Sequence, residues 1–501
     1  MVALSASVCH HARVSPDRLA LVYGRERISY AALVERLQAA AGLLAARGIA
    51  KGDVVAVLMK NSAAFIELAL AASHIGAVLL PINFRLAAEE VAYILEHAGA
   101  KLLFVDEELA ASAGGFAAKI PVDTAAQCDS RLLAEGSRPV MHGAALVPGD
   151  MFRLMYTSGT TDRPKGVIHS YENYYWKCLD HIVTLGLGAS DRLLVIGPLY
   201  HVGAFDLPGL ALLLVGGTMC VLRDFEPDAA LGLIQTERIT GAWMAPVMLN
   251  RLLSLPGRER YDVSSLLWVV GGGERTPEER IHEFSTLFRH GRYIDAYGLT
   301  EGCAADTFME AGKEIAKIGS TGRPVPHVEI QICDDTGRVL APGESGEICL
   351  RGPKITKGYW RDPQKTAASF FGDWFRSGDI GYLDHDGFLF LTDRKKDMII
   401  SGGENVASSE VERVIYRLSQ VSEVAVVALP DEKWGERVVA VVVLKGGEQL
   451  TREELERHCR EHLAGFKVPR QLVIRESLPR NPSGKVLKRV LRDELALPAK
   501  G

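Results

Sequence analysis

The chain has 501 residues, 48% apolar and 24% charged, and its 57 basic and 62 acidic side chains leave a formal charge of −5. That near balance lacks the concentrated basic excess of a protein that binds bare nucleic acid or an anionic membrane, so neither partner is expected. At this length a single core has stopped growing, and two to four domains are expected.

The opening Met1-Val2-Ala3-Leu4-Ser5 has no basic stretch followed by a sustained apolar run, so no secretory signal is expected. From residue 28 to about 105 helices and strands alternate. A helix over Tyr30 to Arg47 carries Leu33, Leu37, Leu43 and Leu44 inward, and the strand Val54 to Leu58 follows Lys51-Gly52-Asp53. A second helix over Ala63 to Ile75, a strand over Ala77 to Leu80, a third helix and the strand Leu102 to Val105 complete the block. The alternation resumes from Arg192 to Tyr297, with strands at Leu193–Ile196, Met219–Leu222, Gly241–Trp243, Leu267–Val270 and Tyr293–Asp295. Strands separated by helices of ten or more residues make βαβ units and parallel sheets, so two doubly wound subdomains are expected. Pro227 and Pro277 sit where a helix's first turn tolerates a missing N–H.

The run Phe205 to Leu222 is interrupted by Asp206, Pro208, Gly209 and Gly216-Gly217, short of the about 20 apolar residues that span a bilayer. A soluble, cytoplasmic chain without a transmembrane segment is expected. The eight scattered cysteines form no CxxC pair and are read as reduced structural thiols. Between about 327 and 394, short strands at Val328–Ile332, Gly346–Leu350 and Gly387–Leu391 with glycine turns suggest a small antiparallel barrel. From 395 a tail follows, with a helix capped near Ser408-Ser409 and two apolar strands, Val424–Leu429 and Val438–Leu444. The tail holds 19 basic and 16 acidic residues (+3) and the rest 38 and 46 (−8), so the extra cations sit in the smaller part.

Three segments carry candidate chemistry on their residues alone. In Tyr156-Thr157-Ser158-Gly159-Thr160-Thr161-Asp162-Arg163-Pro164-Lys165-Gly166, hydroxyls and glycine on a pliable backbone, closed by a lysine, offer the donors a polyphosphate needs, although a surface loop has the same composition. It is not a Walker P-loop, because Lys165 is followed by glycine. In Asp295-Ala296-Tyr297-Gly298-Leu299-Thr300-Glu301, an aromatic face suits a purine and a carboxylate is a hard ligand for magnesium. Gly271-Gly272-Gly273-Glu274 follows a strand and lets backbone approach a ligand closely.

These segments, in this order, resemble the acyl-adenylate-forming superfamily, which includes acyl-CoA synthetases, peptide-synthetase adenylation domains and luciferase. The resemblance implies that Thr157, Ser158, Gly159, Thr160, Thr161 and Lys165 bind phosphates, although the family usually has glycine at 162 and Asp162 adds a negative charge beside Arg163. It implies an adenine site at Gly272, Gly273, Asp295, Ala296, Tyr297 and Gly298, an α-phosphate contact at Thr300 and a magnesium ligand at Glu301. Trp374-Phe375-Arg376-Ser377-Gly378-Asp379 resembles the ribose segment, with Asp379 on the ribose hydroxyls. Asp393-Arg394-Lys395-Lys396-Asp397 resembles the hinge, with Arg394 on the nucleotide, Lys396 as pivot and Gly402-Gly403 beside the pantetheine path. In Pro479-Arg480-Asn481-Pro482-Ser483-Gly484-Lys485, Lys485 is the expected catalytic lysine, while Lys488 and Arg489 are expected on a solvated helix. Pro198-Leu199-Tyr200-His201-Val202-Gly203 resembles the acyl-CoA synthetase motif in which His201 lines the acyl and thiol passage. Amino-acid-activating relatives tend to carry an aspartate there, so His201 argues against an α-amino acid.

The resemblance implies an α/β fold: a large N-terminal domain over 1–394, of two doubly wound βαβ subdomains plus a small β-barrel, then a small α+β C-terminal domain over 395–501 on a hinge. It implies an acid–thiol ligase that uses ATP, magnesium and coenzyme A and passes through an acyl-AMP. It places the acyl pocket near His201, Trp243-Met244-Ala245, Gly272-Gly273 and Gly298 to Ala304, including Gly302 and Cys303; most of these are apolar or small, which suits a neutral, hydrophobic acid. The expected acid is a medium- to long-chain fatty acid, with an aryl acid of the feruloyl or benzoate type as the alternative. Small molecules are the expected partners, and a homodimer is admitted.

Overall fold

The computed structural model describes residues 3–122, 138–157, 164–273, 276–394, 397–401, 404–431, 434–480 and 486–496. Two compact units emerge from the chain's contacts. The first comprises Met1–Glu329 and Leu350–Phe375, the second Ile330–Cys349 and Arg376–Gly501. The second unit thus begins earlier than the boundary expected at 394/395.

The first unit holds two sheets. The strand Val54–Leu58 is buried along its whole length, as are Val78–Pro81 and most of Ala100–Asp106. Continuous apolar runs of this kind belong to parallel strands covered on both faces. They form a six-stranded sheet in the order Lys119–Val122, Ala100–Asp106, Val54–Leu58, Val78–Pro81, Met151–Thr157, Lys165–Ser170. Helices between them start and stop on local chemistry. Ser62 accepts from the Phe65 N–H at the head of Ala63–Ile75, and Gly76 ends that helix at φ 77°.

Nine strands make the second sheet. Its centre runs Arg292–Tyr297, Trp268–Gly271, Gly241–Met244, Arg192–Val195, Thr218–Val221 and Leu19–Tyr23, all parallel. Both doubly wound blocks are therefore present. The N-terminal hairpin Leu19–Tyr23 and Glu26–Ser29 joins the second sheet rather than the first, which the sequence pattern did not signal. Pro227 opens Pro227–Glu237 as expected, whereas Pro277 stands at the cap position before Glu278–Leu287.

In the second unit, Val421–Asp431 and Gly435–Leu444 pair antiparallel, and their alternate residues feed two apolar clusters, one on each face. The strands expected as a barrel occur at Glu329–Cys333, Gly346–Arg351 and Leu389–Arg394, in a five-stranded sheet. The helix Ser408–Ile415 is not capped by Ser408 or Ser409. Its cap residue is Ala407, and the Ser408 backbone N–H and hydroxyl both donate to Asp393, each at 2.6 Å. Among the described residues no helix is long and apolar enough to cross a membrane.

Candidate active site

Four adjacent parallel strands of the nine-stranded sheet end on the same edge, and each delivers one predicted segment there. Arg292–Tyr297 leads to Gly298, Thr300 and Glu301; Trp268–Gly271 to Gly272 and Gly273; Gly241–Met244 carries Trp243 and leads to Ala245; Arg192–Val195 leads to His201. Ligands of open α/β sheets bind outside the carboxyl ends of the strands, so this edge is where a substrate belongs. Asp295 stands opposite Gly271 in register, and Ala296 and Tyr297 pair with Phe308 and Thr307.

The two central glycines serve different ends. Gly273 sits at φ 93° with open space where a Cβ would point, whereas a Cβ on Gly272 would fall 3.1 Å from the Ala296 carbonyl oxygen. Trp243 is 6% exposed, and its indole fills the room left by two other glycines: a Cβ on Gly197 or Gly203 would lie 2.5 or 2.4 Å from the ring. The His201 ring is 6.2 Å from that indole at 30°, and its Nδ1 accepts the Gly203 N–H at 3.0 Å.

The six-stranded sheet contributes the phosphate segment. Thr157 ends one strand and Lys165 begins its antiparallel partner, the two in register. The Thr157 hydroxyl is buried and has no hydrogen-bond partner among the described residues. Ser158, Gly159, Thr160 and Thr161, with Asp162 and Arg163, lie outside the described residues, as does Glu274. Lys165 Nζ lies 3.1 Å from Glu301 Oε1 and donates to the Tyr359 hydroxyl at 2.8 Å. Tyr359 in turn donates to Glu301 Oε1 at 2.8 Å. Burial, then the Glu301 carboxylate, push the Tyr359 hydroxyl well above the usual phenol range, so it stays a donor.

Beyond Glu301 the chain makes a tight loop. Cys303, Ala304 and Ala305 all lie at positive φ (55°, 73° and 37°), a conformation that costs non-glycine residues of order 1–3 kcal/mol each. Fully buried Lys354 holds it: its Nζ donates to the carbonyls of Ala304, at 2.7 Å, and Ala305, and lies 3.0 Å from Asp306. Burial raises the Asp306 carboxyl to about 6 against the pull of Lys354. A Cβ on Gly302 would lie 2.4 Å from the Asp306 carboxylate, and one on Gly298 2.4 Å from the Ala305 nitrogen. Cys303 and Ala304 are buried at 1% and 3% exposure. The smallness read as room for an acyl chain is thus also what lets this loop close on itself.

The segment Lys354–Trp360 was missed by sequence reading altogether. Besides Lys354 and Tyr359, the Thr356 N–H donates to Glu301 O at 2.7 Å and the Trp360 N–H to Gly166 O at 2.8 Å. These partners lie tens to nearly two hundred residues apart in the chain, so no local pattern announces them.

In the second unit, Asp379 stands opposite Arg394 in the antiparallel pairing of Trp374–Leu383 with Leu389–Arg394, which brings the expected ribose and nucleotide residues side by side in register. Lys396, Gly402, Gly403 and Lys485 lie outside the described residues. Lys488 is not solvated as expected: its Nζ lies 2.8 Å from Glu412 and donates to the Ser408 hydroxyl, and its side chain is 15% exposed. Arg489, at 77%, is solvated.

The chain matches the AMP-binding enzyme family over residues 8–360 and the AMP-binding enzyme C-terminal domain over 410–485. The chain belongs to the AMP-binding enzyme family. It is 36% identical over 485 residues to a feruloyl-CoA synthase of Amycolatopsis sp, covering 96% of each chain, and 36% identical over 473 residues to the long-chain-fatty-acid–CoA ligase FadD13 of Mycobacterium tuberculosis, covering 93% of each. It also resembles o-succinylbenzoate CoA synthetase (MenE) of Bacillus subtilis at 30% identity. With the acyl-adenylate intermediate OSB-AMP that structure matches at TM-score 0.88, over 99% of this chain and 98% of MenE; with ATP and magnesium ion, at 0.86, over 97% and 99%. This AMP-binding enzyme is an acid–thiol ligase of the acyl-adenylate-forming superfamily.

Proposed function

We propose that the chain joins a neutral, hydrophobic carboxylic acid to coenzyme A, spending ATP through an acyl-AMP. A carboxylate is a poor electrophile because its leaving group is an oxide ion, and AMP replaces that with a good one. The acid's carboxylate attacks the α-phosphorus and expels pyrophosphate; the thiol then attacks the acyl carbon and expels AMP. Charge spreads over phosphate oxygens in the first step, so fixed donors at the strand edge lower its barrier.

In this reading Thr157, Lys165 and Thr300 hold phosphates, Tyr297 flanks the base, Asp379 holds the ribose and Arg394 contacts the nucleotide. Glu301 fits a magnesium ligand: its side chain is 10% exposed, Oε1 is fixed by Tyr359 and Lys165, and Oε2 accepts no hydrogen bond among the described residues. Magnesium commonly takes one or two carboxylates and completes its shell with substrate phosphates and water, and bound there it supplies charge neutralisation at the phosphate oxygens. Lys485 stabilises the adenylating transition state, and the tail then turns about Lys396 to bring Gly402-Gly403 to the thiol path.

The observation that carries the choice of acid is Trp243. Its indole is packed into Gly197 and Gly203 beside His201, so a flat aromatic wall flanks the segment read as the acyl passage. The buried cations Arg153, Lys177 and Lys354 are committed to Asp206 and Asp306, which leaves none of them for a second substrate carboxylate. A planar aryl acid of the feruloyl or benzoate type fits that wall. A medium- to long-chain fatty acid is the second reading, supported by the similarity to FadD13. CoA-dependent AMP release over ferulate, benzoate, octanoate, palmitate and malonate separates them. Faster turnover of the aryl acids supports the first reading, faster turnover of the aliphatic ones the second, and preference for malonate defeats both. The same reading places the enzyme in the cytoplasm and admits a homodimer, which sedimentation tests.

A further inference from the structure

Behind the Thr300–Glu301 turn lies a set of buried charges that the reaction itself does not call for. Arg153 and His169 face each other in register, four residues outside Thr157 and Lys165 on the two strands that bracket the phosphate segment. Arg153 is 1% exposed, and His169, Lys177 and Asp206 are wholly buried. An Arg153 terminal nitrogen donates to Asp206 at 2.7 Å, and Nε and the other terminal nitrogen point at His169 Nδ1 at 3.2 and 2.9 Å. His169 Nε2 lies 2.7 Å from the Thr300 carbonyl oxygen.

The direction of these bonds follows from the groups themselves. A guanidinium can only donate, so His169 Nδ1 is the acceptor; the proton of a neutral imidazole therefore sits on Nε2 and is given to Thr300 O. Burial, then the Arg153 charge, hold the imidazole down to about 3, so it is neutral at any working pH. The next carbonyl, Glu301 O, takes the Thr356 N–H. Both carbonyls flanking the Glu301 α-carbon are thus fastened on the protein side.

Buried ions carry a desolvation cost that well-packed apolar residues of the same volume would not, so filling space does not account for this cluster. We propose that His169 is a positioning residue, the link through which Asp206 and Arg153 hold the Thr300–Glu301 turn in the geometry that binds the nucleotide. This rests on the reading of Thr300 and Glu301 as nucleotide-site residues. Asp206 lies five residues beyond His201, so the segment lining the acyl passage and the nucleotide turn share one anchor.

The test compares His169→Leu, which removes both bonds, with His169→Gln, whose amide can accept from Arg153 and donate to Thr300 O. Each is measured by titration with α,β-methylene-ATP, by KM for ATP and for the acid in acid-dependent pyrophosphate exchange, and by thermal melting. Loss of an outer hydrogen-bond partner typically costs about 10- to 100-fold. H169L is expected to weaken the analogue and raise KM for ATP by about that factor, with KM for the acid within about twofold, and H169Q to recover most of the loss. Equal changes in both KM values, or analogue binding that tracks only the melting temperature with no recovery in H169Q, overturns the proposal. Absence of exchange by the wild type with every acid defeats the ligase reading instead, and the analogue titration still decides on His169.

Discussion

Two buried polar clusters, one in each unit, stand behind segments expected to do chemistry, and they differ in what they hold. In the first unit Asp206, Arg153, Lys177 and His169 are at 0–1% exposure, and the cluster ends on a backbone carbonyl. In the second, side-chain bonds join Asp393, Ser408, Glu412 and Lys488, with Lys488 and Glu412 at 15% and 18%, and the backbone N–H groups of Ser408 and Val426 donate to Asp393 and Glu412. The first ties the strand Lys165–Ser170 of one sheet to the turn that follows the strand Arg292–Tyr297 of the other. The second ties the strand Leu389–Arg394, which ends at the expected hinge, to the helix Lys488–Ala496, which begins three residues after Lys485. One arrangement suits a fixed site, and the other suits parts that must travel together.

Removing one partner from the deeper cluster is the severest way to test that contrast. Asp206→Ala strands Arg153 and Lys177 in the core and is expected to cost about 3–5 kcal/mol in denaturant unfolding, as broken buried pairs do. Lys488→Met, in the less deeply buried cluster, is expected to cost about 1.5–3 kcal/mol, the range for hydrogen bonds to charged groups. It should also slow the switch between half-reactions, seen as adenylate accumulating before thioester forms. Equal stability costs would erase the difference in depth. A Lys488→Met enzyme with unchanged partition of adenylate would erase the difference in role.

A smaller effect lies in the pH dependence of stability. His169 is held to about 3 in the folded chain against 6.5 when free, so between those values the unfolded state binds a proton that the folded state does not. Stability from this residue is present above about 6.5 and falls as pH drops toward 3, by at most about 1.4 kcal/mol per pH unit. Asp306 runs the other way: raised to about 6 from 3.8, it removes stability as pH rises through that window. His169→Gln is expected to flatten the acid limb of an unfolding-versus-pH curve by about one proton; an unchanged slope contradicts the neutral buried imidazole.

The fold was legible where burial is simple. Val54–Leu58 and Trp268–Gly271 are wholly buried parallel strands, and such strands announce themselves as short apolar runs between helical patterns. The hairpin Leu19–Tyr23 with Glu26–Ser29 was missed because its partner strand Thr218–Val221 lies far along the chain. Of the candidate site, residues in contiguous motifs such as Thr300, Glu301 and Lys165 were legible, and the structure brings Lys165 and Glu301 together. Tyr359, Thr356, Lys354 and His169 could not, since each acts on a residue remote in sequence. Lys488 carried a signal that was passed over: Lys488, Leu491, Arg492 and Leu495 recur at helical spacing, and the face they share packs inward with Leu491 and Leu495 in an apolar cluster. Its charge suggested solvent, but the glutamate that pairs it sits on another helix.

The most direct test of the account is acid-dependent exchange of labelled pyrophosphate into ATP by the wild type and by Lys485→Ala, beside thioester formation from supplied acyl-adenylate and coenzyme A. Exchange with a hydrophobic acid, reduced about 100- to 1,000-fold in Lys485→Ala while thioester formation from the adenylate persists, is the predicted result. ATP binding without exchange for any acid, or equal loss of both half-reactions in Lys485→Ala, would contradict it.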